Sequence, residues 1–199
     1  MAKFSIFTLH TKIPTGAFVL STASGAYVFR PNTSGLIPVA SSATTELLPG
    51  TVVSEARLTY APWFSVVIRL WANASDVEVE WTVGPIPFAD GLGKEVVVRY
   101  GSGLATGGVW FSDSNGRDSM RRVRNARPSW PLEVTEPVAD NYFPTTTFQW
   151  SSDGTTTISV VTDRAQGGAS MNNGELEFMV HRRLLVDDSC GVGEYFYSK

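Results

Sequence analysis

A single cysteine, Cys190, stands in 199 residues. One thiol excludes an internal disulfide framework and leaves the redox compartment unread. With only two histidines, His10 and His181, far apart in sequence, no zinc spacing is offered. Long apolar runs are missing too, so no stretch reaches the ~18 residues of a membrane-spanning helix. Charge is sparse, at 18% of residues with a net of −3, and nothing global attracts nucleic acid or an anionic membrane. At the N-terminus, a short apolar run from Phe4 to Leu9 is interrupted by His10 and Lys12 before it can form a secretory core, so no signal peptide is expected.

Strand formers and turn formers are abundant. The chain holds 11 Phe, 6 Tyr and 6 Trp among 18 Gly and 11 Pro, which favours many short strands over long helices. From Val77 to Val83, apolar Val77, Val79, Trp81 and Val83 alternate with Glu78, Glu80 and Thr82. A period of two with one apolar face is the mark of a half-buried strand. Further strands read at Gly25–Phe29, Thr51–Tyr60, Ser65–Trp71, Glu95–Tyr100, Val109–Ser112, Thr145–Trp150, Thr155–Thr162 and Glu175–Arg183. Residues 1–19 carry no clear period, and Gly167-Gly168 reads as a connection. Helical character is confined to Arg117–Arg127, stopped by Pro128 and Pro131. With no αβ alternation, the expected fold is all-β: an antiparallel sandwich of about ten or more strands with little helix. No repeat or linker divides the chain, which reads as one β-sandwich domain over 20–199 behind an unmatched leader at 1–19.

Several constellations invite chemistry. Glu78 and Glu80 lie about 6.6 Å apart on one strand face, within the range of an inverting glycosidase pair. Catalytic carboxylates flank a cleft from different elements, however, and two acids on one strand read as a solvated face. Glu175 and Glu177 read the same way. The run Asp113-Ser114-Asn115-Gly116-Arg117-Asp118 lacks the Gly and Glu that a calcium loop needs at its sixth and twelfth positions, and reads as a turn. Gly101-Ser102-Gly103-Leu104-Ala105-Thr106 ends on Thr where a dinucleotide loop has its third Gly, and reads as a flexible hairpin loop. Arg117, Arg121, Arg122, Arg124 and Arg127 form a basic cluster without interleaved aromatics, so pairing with acids or solvation is expected rather than phosphate binding. No G-x-S-x-G elbow supports a serine triad. No catalytic and no metal residue is assigned. Asn32-Thr33-Ser34 and Asn73-Ala74-Ser75 are glycosylation sequons, relevant only to a secreted chain.

From Ser24 onward, one set of words runs in a single order: SGAYVFRPN at 24–32, VEVEWTVGPIP at 77–87, GKEVVVRY at 93–100 and FSDSNGRD at 111–118. RNARPSWPLEVTEPVADNYFP stands at 124–144, then VVTDRAQGGASMNNGELEFMVHRRLLVDD at 160–188 and GVGE at 191–194. In these words the chain resembles the region after the catalytic domain of lysosomal and vacuolar-type α-mannosidases of glycoside hydrolase family 38. The resemblance implies a β-sandwich portion of an enzyme that cleaves terminal α-mannosides with retention, using zinc and an Asp nucleophile. Both belong to an α/β domain that nothing in this chain matches, so no cofactor is expected on the chain itself. The expected partners are mannose-containing glycans and the missing catalytic and C-terminal domains of the parent. The resemblance implies a lysosomal, vacuolar or extracellular location. It places Tyr27 near the bound mannoside and brings Arg182 or Arg183 to the same cleft, without choosing between the two. The family usually has Arg where Cys190 stands, and YFYSK after Glu194 departs from the pattern. A free-standing carbohydrate-binding module and a truncated gene product are the alternative readings.

Overall fold

The computed structural model describes residues 3–11, 29, 31 and 35–183. Among them the chain is all-β and antiparallel, with fourteen strands and one 3-10 turn, Ala139–Asn141. The strands are β1 (Lys3–Thr11), β2 (Ile37–Pro38), β3 (Thr44–Leu48), β4 (Val53–Ala61), β5 (Phe64–Trp71), β6 (Glu78–Val83) and β7 (Gly93–Gly101). The remainder are β8 (Val109–Ser114), β9 (Asp118–Val123), β10 (Phe143–Thr145), β11 (Phe148–Ser152), β12 (Thr157–Val161), β13 (Gln166–Ala169) and β14 (Glu175–Arg183). Among the described residues two compact units emerge: residues 38–91, and a larger unit built on residues up to 37 and from 92 to 183.

The larger unit holds a six-stranded sheet, in the order β10-β13-β14-β7-β1-β2, and a four-stranded sheet, in the order β12-β11-β8-β9. Trp110 of β8 and Leu176 and Phe178 of β14 are buried in one cluster, with Tyr100, Phe143, Ile158 and Val160 packed around them. Apolar faces of two sheets meeting in this way make a sandwich core. A second cluster lies on the opposite face of β7, where Val97 meets Val138 with Phe29, Leu36, Tyr142 and Met171. With both faces covered, β7 is buried continuously from Gly93 to Arg99.

The smaller unit is a meander, β3-β4-β5-β6. Its β6 shows the anticipated alternation, with Val79, Trp81 and Val83 half-buried and Glu78, Glu80 and Thr82 exposed.

Three stretches differ from the sequence expectation. Arg117–Arg127 is not helical: Asn115 and Gly116 both take positive φ, 52° and 69°, closing a tight hairpin that pairs β9 with β8. Residues 3–11 form a strand paired along its whole length with β7. Gly167 and Gly168 belong to β13, between β10 and β14. There the glycines make room rather than a turn, since a Cβ on Gly168 would sit 1.4 Å from Gln149 Nε2.

Candidate functional site

Alternation along β14 sends Leu176 and Phe178 into the sandwich core and Glu175, Glu177 and Met179 to the other face of the sheet. Cross-strand partners share a face, and here Glu177 stands opposite Arg99 and Met179 opposite Val97. The register then slips by one residue between Met179 and His181. Val180 is the extra residue of a β-bulge, which re-aims the remainder of the strand. His181 consequently stands opposite Val96, Arg182 opposite Glu95 and Arg183 opposite Lys94. The bulge places Arg182, and not Arg183, on the face that carries Glu95, Arg99 and Glu177.

That face is a buried charge layer. Glu95 is 0% exposed, Glu177 1% and Arg99 8%. Arg99 donates from Nε to Glu177 Oε2 at 2.8 Å, and its Nη2 closes on the same oxygen. Its Nη1 lies 3.0 Å from Glu175 Oε2. The Tyr142 hydroxyl donates to Glu177 Oε1, and the Tyr142 ring packs edge-on against Phe29 at 4.6 Å. Arg182 Nη2 donates to Glu95 Oε1 at 2.5 Å. Burial, then the neighbouring Glu177 charge, holds the Tyr142 pKa well above its usual value, so the hydroxyl stays a neutral donor. Charges taken out of water are tolerated only when paired and hydrogen-bonded. The pairing therefore fixes each side chain in one geometry.

Beside Arg182 the bulge opens a shallow depression, whose floor and rim include Gln166 and Gly167 of β13 with Met179, Val180 and His181. Gln166 Nε2 donates to the Met179 carbonyl at 2.9 Å, tying the rim together at the bulge. Burial lowers the His181 pKa, which favours the neutral imidazole. A fixed guanidinium at the edge of a shallow depression suits a neutral polyol or a carboxylate better than it suits bond-breaking chemistry. Among the described residues no three His, Cys, Asp or Glu side chains converge as a metal site requires.

The other residues singled out by sequence are distributed over both units. Tyr27, Asn32 and Cys190 lie outside the described residues. Glu78 and Glu80 both accept from Arg69 Nη1, at 2.9 and 2.7 Å, on an exposed face of the smaller unit. Glu175 and Glu177 are a correction. Expected on a solvated face, Glu177 is buried and Glu175 joins it on Arg99 because β14 lies inside the sheet, between β13 and β7. Asp113 takes no part in a calcium loop. Its Oδ1 accepts from the backbone N–H groups of Thr146, Thr147 and Phe148, and its Oδ2 accepts from Gly116 N–H. Burial alone would raise its pKa, but those four donors outweigh it and bring it down to about 2.

The loop at residues 101–106 is pinned rather than flexible, since Ser102 Oγ donates to Gly174 O at 2.7 Å and Thr106 Oγ1 accepts from Gly174 N–H at 3.1 Å. Of the basic cluster, Arg117 and Arg121 are exposed. Arg122 and Arg127 lie over the Phe143 ring, at 4.1 and 4.4 Å, and Arg124 donates to the Met171 carbonyl. Among the described residues, Arg122, Arg124 and Arg127 thus bracket a ring and a carbonyl, while Arg117 and Arg121 keep the solvated setting expected of them. Sequence reasoning missed Glu95, Arg99 and Tyr142. For Glu95 and Arg99 the signal is an apolar triplet, Val96–Val98, flanked at both ends by charge.

Residues 3–190 match the family described as glycosyl hydrolases family 38 C-terminal domain. The chain is 49% identical over 180 residues to the lysosomal alpha-mannosidase of Bos taurus, covering 90% of this chain and 18% of that protein. It is 51% identical over 174 residues to the lysosomal alpha-mannosidase of Cavia porcellus, covering 87% of this chain and 17% of that protein. An alpha-mannosidase of Canavalia ensiformis is 48% identical over 182 residues, 90% of this chain and 18% of the relative. The chain thus spans under a fifth of the length of the curated relatives it matches.

Proposed function

The chain belongs to glycosyl hydrolase family 38, as its C-terminal domain, and on that premise we propose that it is the β-sandwich part of an α-mannosidase. It serves as one wall of a cleft for terminal α-mannosides in glycoprotein glycan degradation and is inactive by itself. On this reading the reactive carboxylate and the zinc would be supplied by the catalytic portion of the parent enzyme. Names of relatives such as that from Bos taurus support a lysosomal or vacuolar location.

One observation carries the assignment of a residue. The bulge at Val180 hands Arg182 to the buried Glu95 carboxylate, so its guanidinium is held before any sugar arrives. An arginine fixed in this way hydrogen-bonds hydroxyls with little ordering cost. Arg182 is therefore the member of the pair that meets substrate, with Tyr27 as its companion.

The test is a full-length family member in which this chain replaces the corresponding stretch. R182A is expected to lower kcat/KM for an aryl α-mannoside by tenfold or more, as loss of a charge-assisted hydrogen bond of about 1.5–3 kcal/mol requires. R183A should cost much less. Equal losses would overturn the choice of Arg182. Release of nitrophenol from an aryl α-mannoside by the isolated 199-residue chain, with or without zinc, would overturn the cleft-wall reading.

A further inference from the structure

The hairpin joining β5 to β6 carries features that the cleft wall does not use. Its turn is closed by the Ala74 N–H donating to the Trp71 carbonyl at 3.1 Å. Asn73 occupies the third position with φ 65°, the left-handed region that Asn tolerates better than most residues. Asn73, Ala74, Ser75 and Asp76 are all exposed, and among the described residues nothing engages the Asn73 side-chain amide. Asn73-Ala74-Ser75 has the Asn-x-Ser pattern that a glycosyl-transferring enzyme reads.

Trp71 opens the same turn, two residues upstream. Its side chain is 47% exposed, unusual for so large an apolar ring at a strand end. Its orientation is nonetheless fixed: the indole Nε1 donates to Glu78 Oε2 at 2.8 Å, and Glu78 is itself tied to Arg69 at 2.9 Å. Val77 beside it is 55% exposed. A rigid, open aromatic face next to an exposed acceptor amide suits the apolar C–H face of a pyranose, which gains by covering the ring.

We infer that Asn73 is an N-glycosylation site and that the first sugar of its glycan lies over the Trp71 ring. The donor is an oligosaccharide on a polyprenyl diphosphate. Asn73 Nδ2 bonds to the anomeric carbon as the bond from that carbon to the diphosphate oxygen breaks. The electron pair leaves with the diphosphate, the amide nitrogen gives up one proton, and nothing is oxidised or reduced. The inference rests on the lysosomal reading, because the chain must pass the compartment where such donors are found.

The test supplies that passage. The full chain is expressed in eukaryotic cells behind a cleavable secretory leader, with a control sequon appended at its C-terminus. Molecules carrying the control glycan are treated with peptide N-glycosidase in heavy-oxygen water, and the labelled aspartates are mapped. Label is expected at Asn73, and it should be lost in N73Q and in S75A. W71F, which keeps a ring, should hold occupancy near wild type. W71A should lower it and abolish the rise in thermal midpoint that the glycan gives. A bare Asn73 on molecules with an occupied control would overturn the site. Equal occupancy and equal midpoint shifts in W71A and W71F would overturn the stacking. An Asn73 bare in the native protein but occupied here would sink the lysosomal reading while supporting the acceptor assignment.

Discussion

Each unit of this chain carries an arginine among glutamates on neighbouring antiparallel strands, and the two arrangements serve opposite ends. In the larger unit, Arg99 bridges Glu175 and Glu177 under a layer that leaves Glu177 1% exposed. In the smaller unit, Arg69 gathers Glu55, Glu78 and Glu80 on a face where Arg69 and Glu55 are half-buried and the other two glutamates are open to water. The residue types match, as does the cross-strand spacing. Water makes the difference. An exposed pair gains little over its solvated partners, whereas a buried pair cannot lose one member without stranding the other. The first network fixes geometry at the proposed cleft wall, and the second holds the Trp71 indole in place.

Stability measurements can break or sharpen this contrast. The largest effect is expected from E177A, which leaves Arg99 and the Tyr142 hydroxyl in a dry environment. Chemical denaturation should show a loss of about 3–5 kcal/mol. A loss near zero would place the layer in water after all. D113N comes next, because Asp113 is a buried carboxylate satisfied by N–H groups alone. Its folded pKa of about 2 lies below the ordinary value of 3.8. Its contribution is therefore present above the unfolded pKa and is lost as pH falls through about 4 toward 2. The shift corresponds to roughly 2.5 kcal/mol. Wild type should lose thermal midpoint over that window, and D113N should start lower and fall less. Y142F removes one hydrogen bond to a charged acceptor and should cost about 2 kcal/mol, with strong coupling to E177A in a double-mutant cycle. The smallest effect is expected at the open face. R69A should move the denaturation midpoint slightly, and the movement should vanish in molar salt. A loss from R69A as large as that from E177A would erase the distinction between the two networks.

The part of the fold legible in the sequence obeys the same division. Strand β6 announces itself because only one of its faces is covered, so its letters alternate. Strand β1 shows no clear period and is known only from its pairing with β7, whereas β7, covered on both faces, reads as an unbroken run. Covered strands need no alternation. The glycines of β13 look like a loop until Gln149 is seen lying against Gly168, a fact of packing that no local pattern contains. The arginines at 117–127 have good helix propensity, but the Asn115-Gly116 hairpin overrides it. The candidate site was legible as words and not as geometry. The Arg-Arg pair marks the segment, yet the partner that fixes Arg182 is Glu95, eighty-seven positions away.

The extra residue at Val180 has one more consequence. In a strand, position along the chain is an address: odd and even places belong to different faces. Counted without interruption from Glu177, that face would receive Met179, His181 and Arg183. The bulge rewrites the address once, and Arg182 takes the place instead. Two identical letters thus become two different residues, told apart by spacing alone. Excising Val180 would leave every later pairing of β14 with β7 as it is, whereas inserting one residue between His181 and Arg182 would exchange their sides with no change to either arginine. For this segment the unit of inheritance is the count between residues, and a comparison that scores letters alone would miss its most damaging change.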